Sequence, residues 1–313
     1  MRRAALLVVL MLAACSPAPA REGRSHPTIV SLNPCSDAIL AEVADPEQVL
    51  AISHYSHDPA ATSMDLAVAR RFRAVSGSAE EVLALRPDLV IASEYLAPAT
   101  AAAFDRLGLR LERLPIVSGV AQGQVQVRRL AALAGHPARG EALVARIEAA
   151  LAAAAPPPGS AIPAIVWQSG GSVPGQGTLI AELLARTGFA NAAAARGLGQ
   201  ADLLPLEDML TTPPRVIFAA GNLRGNEDRL LRHPALGRML GVTRVRLDPA
   251  LLWCGGPTIP KVAARLAAVR RSLDQRKPLP VGEGLGWEFS AGVDARPAPR
   301  SPTPDPSPPG GGG

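Results

Sequence analysis

The chain reads as an α/β protein of two Rossmann-like α/β lobes joined by a single long rigid helix, and three observations predict this. The first is the stretch Gly77 to Ser93, GSAEEVLALRPDLVIAS. Ser78 is a helix cap, Glu80 and Glu81 sit in the first turn, Val82, Leu83 and Leu85 are apolar, and Pro87 breaks the helix ahead of an apolar strand from Leu89. Acidic first-turn residues suit the positive end of a helix dipole, and an apolar run without alternation suits a strand buried on both faces. The second observation is that LEDMLTTPPRVIFAA repeats this grammar at an offset of 127 residues, with Glu207 on Glu80, Leu210 on Leu83 and Pro214 on Pro87. Two copies so far apart imply two similar lobes, although short helix–proline–strand units also match by chance. The third is a helix from Pro137 to Ala155 with one apolar stripe, Leu143, Val144, Ile147 and Leu151, halted by three prolines. At about 1.5 Å per residue it is ~28 Å long, a stiff spacer where a flexible hinge would be rich in Gly or Ser.

The elements follow in order. Thr28 to Leu32 is a strand broken by Asn33-Pro34, and Ser36 or Asp37 caps a helix to about Ala44. Val49 to Ile52 is the second strand, His54 to Pro59 a loop, and a short strand near Val75 precedes the repeated unit. A helix from about Pro98 stops at Gly108, Leu109 to Leu114 alternate as a more exposed strand, and a helix from Val120 closes on Gly135. The second lobe opens with the strand Ala164 to Trp167, a Gly-rich loop from Gly170 to Gly177 and a helix from Leu179 to Arg186. After the second copy come a helix around Glu227 to Leu240, a strand from Val242, and a last helix from about Ile259 to Leu273. The expected domains are lobes at 27–136 and 160–274, an interlobe helix at 137–156, and a disordered Pro/Gly-rich tail at 275–313 whose only packing candidates are Trp287 and Phe289.

With 313 residues, 48% hydrophobic and 19% charged, the chain has material for two folded domains. Its net charge of +5 falls to +3 without Arg2 and Arg3, and its arginines are scattered, which argues against nucleic acid as a partner. Residues 1–20 read as a signal peptide: Arg2-Arg3, an apolar run from Ala4 too short to span a bilayer, then Leu12-Ala13-Ala14-Cys15. This is the pattern of a bacterial lipobox with Cys15 as the lipidated residue, while Ala18-Pro19-Ala20 offers ordinary cleavage. Either route exports the protein, and a lipid anchor is its only expected link to the membrane.

Ligands of open α/β sheets sit outside the carboxyl ends of the strands. In a chain only 3% aromatic, Tyr55, Tyr95, Trp167 and Trp253 all fall at or past strand ends. That distribution favours a cleft walled by two tyrosines from one lobe and two tryptophans from the other, the alternative being that each ring plugs its own lobe. With neighbouring polar residues, the candidate ligand contacts are Asn33, Cys35, Tyr55, Glu94, Tyr95, Trp167, Gln168 and Trp253. His54-x-x-His57-Asp58 is a weak metal pattern, so no metal site is assigned to it, although Tyr55 or a neighbouring histidine has the chemistry to ligate a haem iron. The Gly170–Gly177 loop lacks phosphate-binding spacing and reads as a place of close backbone approach, with the ligand as a candidate for what approaches; Ser169 is in no nucleophile elbow. No nucleophile–base–acid set emerges, so no catalytic residue, enzyme activity or intrinsic cofactor is expected. Cys35 and Cys254 stand open between a bridge, two free thiols and helix-start packing.

Ile29 to Pro34, Ser78 to Val90 and Leu206 to Leu210 carry a resemblance. The chain resembles the periplasmic substrate-binding proteins of ABC importers for cobalamin, ferric siderophores and haem, over about Pro27 to Leu273. The resemblance implies a ligand held between two lobes that open only slightly, and one glutamate per lobe, here Glu80 and Glu207, docking on permease arginines. Helix-dipole complementarity alone would also place acids there. The expected function is a monomeric periplasmic solute-binding protein that delivers cobalamin or another corrinoid, or a ferric siderophore, to an ABC permease and ATPase, with haem as the alternative ligand. An exported two-lobe metal-binding protein or enzyme, or a structural surface lipoprotein, are the rivals from other classes.

Overall fold

The computed structural model describes residues 25–221 and 228–275; the leader with Cys15 and the tail from residue 276, with Trp287 and Phe289, lie outside the described residues. Two parallel sheets organise the chain. Strands β1 (Ile29–Ser31), β2 (Val49–Ser53), β3 (Ala74–Val75), β4 (Leu89–Ser93) and β5 (Leu111–Leu114) form the first, in the order β3-β2-β1-β4-β5. Helices α1 (Pro34–Val43), α2 (Leu66–Ala69), α3 (Ala79–Leu85) and α4 (Pro98–Arg106) connect them, and α5 (Val120–Leu133) leads to α6 (Pro137–Ala153). In the second half, β6 (Ile162–Gln168), β8 (Phe189–Asn191), β10 (Val216–Ala220) and β11 (Thr243–Arg246) pair as β11-β10-β6-β8. A small antiparallel ribbon of β7 (Ser172–Val173) and β9 (Asp202–Leu203) was not expected, nor was β8. Helices α7 (Leu179–Arg186), α8 (Leu206–Thr211), α9 (Pro234–Gly237) and α10 (Thr258–Gln275) complete this half. Among the described residues no helix is long and apolar enough to cross a membrane.

The repeated unit folds twice in the same way. Val82 and Met209 are both buried, Pro87 and Pro214 both buried, and Glu80, Glu207, Leu83 and Leu210 all exposed. Glu80 and Glu207 each occupy the second residue of their helix, α3 and α8. Ser78 caps α3 as expected, accepting the Glu81 N–H at 3.3 Å. Pro87 disfavours helical backbone at the residue before it, and Arg86 takes a left-handed conformation (φ +49°) to end the helix. Other boundaries differ for local reasons. Asn33, not Ser36 or Asp37, caps α1: its side chain accepts the Cys35 N–H at 2.8 Å, and Pro34 occupies the first helical position, which needs no N–H. The helix expected across Glu227 to Leu240 is broken at His233-Pro234 into a 3-10 turn (Leu230–Arg232) and α9, because proline cannot continue the turn before it.

Each sheet has an outer and an inner face. Val30, Val90 and Phe104 fill a small core outside the first sheet; Ile165, Trp167, Met209 and Ile217 fill the matching one outside the second. The inner faces share one continuous core with α5, α6 and α10, from Ile29 and Ile39 through Leu143 and Ile147 to Phe218 and Leu266. Helix α6 packs on α5 and α1 on one side and on α10 on the other, so it spans both sheets. This shared core makes the chain through Gln275 one compact unit, with α6 as the long helix between its halves.

Candidate functional site

The cavity lies at the carboxyl ends of both sheets. It has a volume of about 310 Å³ and opens to solvent. From the first half come Asn33 and Cys35 after β1, Ser93 at the end of β4, and Leu114 to Val117 where β5 runs out. From the second come Gln168 at the end of β6, Leu179 and Ile180 at the start of α7, and Leu252-Trp253 ahead of α10. Among the described residues, every side chain lining it is uncharged. Four carry amides, Asn33, Gln126, Gln168 and Gln200, interleaved with aliphatic groups and the Trp253 ring. A ligand there meets apolar surface fringed by neutral hydrogen-bonding groups.

Of the eight sequence candidates, Asn33, Cys35, Gln168 and Trp253 line the cavity. Trp253 is 61% exposed, a large ring held at the wall. Trp167 is not in the wall: it is 0% exposed, in the core outside the second sheet. Alternation decides this, because Ile165 and Trp167 point outward while Ala164 and Val166 point to the shared core, and β6 continues to Gln168. Tyr55 and Tyr95 do not line the cavity either; at 53% and 73% exposure they stand on the strand-end surface around it. Tyr95 is two residues past Ser93, whose hydroxyl accepts its N–H at 3.2 Å. Glu94 lies one step behind the wall, accepting the Ile116 N–H at 2.9 Å. Among the lining residues that sequence reasoning missed, Leu114 to Val117 lie at and past the end of β5, where the strand-end rule was the signal, while Gln126, Gln200 and the start of α7 carried none.

The arrangement of two sequence motifs is now defined. His54 and His57 do not converge on an ion: a ring nitrogen of His54 meets the Val75 carbonyl at 3.3 Å, and one of His57 the Ala69 carbonyl at 3.1 Å. In the Gly-rich loop the close approach at Gly175 is to backbone, while Pro174 beside it lines the cavity. The Gly175 N–H donates to the Gly199 carbonyl at 2.7 Å, and a Cβ at residue 175 would fall 1.8 Å from the Leu198 carbonyl oxygen.

The halves are tied at the cavity. Cys35 and Cys254 form a disulfide, with Cα atoms 5.0 Å apart, which settles the open question of their state in favour of the bridge. Glu182 of α7 accepts the Val120 N–H at 2.8 Å, capping α5 of the other half, whose own cap residue Gly119 has no side chain to do so. Gln200 donates to the Ser118 hydroxyl at 3.3 Å. Behind the wall, Asp37 is fully buried at the start of α1; its Oδ2 accepts the Ser53 N–H at 3.0 Å and the Ser56 hydroxyl at 2.7 Å. Burial, opposed by these hydrogen bonds, pushes its carboxyl up to about 7.

Residues 29–243 match the family of periplasmic binding proteins. The chain belongs to that family. Solved structures agree with the fold. The periplasmic haem-binding protein of Roseiflexus sp. RS-1 superposes with a TM-score of 0.62 at 23% identity, over 79% of this chain and 99% of that one. A periplasmic haem-binding protein of Pseudomonas aeruginosa gives 0.62 at 23% identity, over 81% and 95%. The periplasmic vitamin B12-binding protein of Vibrio cholerae gives 0.57 at 17% identity, over 80% and 99%. Among curated proteins nothing matches the sequence. As a periplasmic binding protein the chain serves solute capture, and its cavity opens at the strand ends between the two sheets.

Proposed function

We propose that this chain is the solute-binding component of an ABC importer, capturing a metal chelate between its halves and delivering it to the membrane permease. The observation that carries the reading is the uncharged cavity with Trp253 exposed in its wall and amides around it. A macrocycle with an apolar face stacks on an indole, and the peripheral amides of a corrinoid match Asn33, Gln126, Gln168 and Gln200. A tris-catecholate ferric siderophore carries several negative charges and finds no cation among the described residues of this lining. The favoured ligand is therefore cobalamin or a related corrinoid. A cavity of about 310 Å³ encloses only part of so large a molecule, the remainder lying between the rims.

Haem is the second reading, and two observations favour it. The phenols of Tyr55 and Tyr95 stand exposed beside the cavity, suited to a ferric axial ligand, and several solved relatives of this fold bind haem. Glu80 and Glu207, equivalent and exposed on the two halves, are the proposed docking points for the permease. Lobes at 27–136 and 160–274 would then open only slightly, and Cys15 would carry the lipid anchor of a monomer held at the membrane.

Tryptophan-fluorescence titration with cyanocobalamin, haemin and a ferric siderophore panel tests the assignment. Saturable quenching at submicromolar chelate, lost in Trp253→Phe and kept in Trp167→Phe, is expected for the true ligand. No quenching by any chelate overturns it. If haemin wins, a tyrosinate-type charge-transfer band that disappears in Tyr55→Phe or Tyr95→Phe identifies the iron ligand.

A further inference from the structure

The opposite end of the first sheet, where its strands begin, holds a cluster that the transport reading does not use. His26 lies just ahead of β1, Asp45 just ahead of β2, and His136 caps α6. One ligand atom from each lies within 4.8 Å of the others, and all three residues are partly buried. His136 Nε2 is 3.2 Å from Asp45 Oδ2 and 2.8 Å from Gln48 Oε1. The His26 and His136 rings have centroids 4.3 Å apart.

We propose that His26, Asp45 and His136 form a binding site for a divalent transition cation of the zinc class, with Gln48 Oε1 or a water completing the shell. Two imidazoles with one carboxylate are a borderline-soft set that selects zinc, nickel or copper over calcium or magnesium. Donors around a tetrahedral ion with bonds of about 2.0 Å stand about 3.3 Å apart, close to the 3.2 Å between His136 Nε2 and Asp45 Oδ2. The corner is also rich in acceptors. A single ring N–H of His136 faces both Asp45 Oδ2 and Gln48 Oε1, so one lone pair is left for a cation to take up.

The donors are held in place by the backbone around them. Gln48 Nε2 donates to the Pro27 carbonyl at 3.0 Å and to the Ala134 carbonyl at 2.9 Å, and its Oε1 accepts the Asp45 N–H at 2.8 Å. One side chain thereby fixes all three segments that bear ligands. Gly135 lets the His26 ring approach: its backbone is left-handed (φ +84°), and a Cβ there would lie 2.3 Å from the ring Nδ1. Arg139 takes the other carboxylate oxygen, Asp45 Oδ1, at 2.7 Å, which leaves Oδ2 for the ion. Bound metal would clamp the segment leading out of the leader onto the start of α6.

The test is zinc competition against a chromophoric chelator, using untagged, metal-free protein at neutral pH. One zinc ion per chain is expected, with His26→Gln and His136→Gln each weakening it by about 100-fold or more, and His54→Gln/His57→Gln leaving it unchanged. Zinc should raise the thermal midpoint of the wild type and not of His26→Gln, whose substitution precedes the first strand and leaves the fold intact. Calcium should do neither. The proposal is overturned if the wild type takes up no zinc, or if His26→Gln binds it within about threefold of the wild type.

Discussion

The two halves of the molecule share a scaffold and differ where they meet the ligand. Position by position the repeated unit agrees: Val82 with Met209 inside, Pro87 with Pro214 at the break, Glu80 with Glu207 outside. At the strand ends the agreement stops. The first half brings Asn33, Ser93 and the aliphatic run Leu114 to Val117, with Tyr55 and Tyr95 exposed past its strand ends, and the second brings the Trp253 ring with Leu179, Ile180 and Gln168. The repeat thus builds two platforms, while the loops after the strands build an asymmetric pair of walls. A single chelate with two unlike faces suits such walls better than a symmetric one.

Breaking the link between the halves should give the largest effect. Cys35–Cys254 closes a loop of 219 residues in sequence separation, and Cys35→Ser/Cys254→Ser is expected to lose about 3–5 kcal/mol in urea unfolding. A stability equal to the wild type would mean the shared core alone holds the halves together. Next comes the contrast between the tryptophans. Trp167→Ala should cost about 3–5 kcal/mol of stability with chelate affinity kept in the folded fraction. Trp253→Ala should cost little stability and weaken the chelate by about 10–100-fold, as expected for an exposed aromatic anchor.

Asp37 sharpens the comparison through pH. Its folded-state carboxyl titrates at about 7 against an ordinary 3.8, so between those values the folded chain keeps a proton that the unfolded chain has released. Its contribution therefore destabilises progressively from about pH 4 to about pH 7 and levels off above, by on the order of 4 kcal/mol. Asp37→Asn should remove that slope from a plot of unfolding free energy against pH; an unaltered slope would show that Asp37 is ionised throughout. The smallest effect on the purified chain should come from Glu80→Ala/Glu207→Ala, with stability and chelate affinity within error of the wild type while uptake in cells falls about tenfold or more. A loss of affinity instead would place these acids at the ligand.

What the sequence disclosed was local. The helix–proline–strand unit was legible because caps, breakers and apolar runs act over a few residues, and the offset of its copies gave two platforms. The strand-end rule located the site and four of its residues. Trp167 was misplaced by one position of alternation: with β6 running on to Gln168, its ring turns to the outer core. The bridge between Cys35 and Cys254, the capping of α5 by Glu182, and the convergence of His26, Asp45 and His136 depend on segments far apart in the chain. Spacing along the sequence carries no distance of that kind. The two histidines that did fall close in sequence, His54 and His57, turn to separate carbonyls.

The most direct test of the account is a crystal structure of the chain with the chelate that quenches its fluorescence. The account predicts the macrocycle seated at the strand ends between the two sheets, one face against Trp253 and its fringe on Gln168 and Gln200. A chelate bound at any other surface, or in the cavity without touching Trp253, would contradict it.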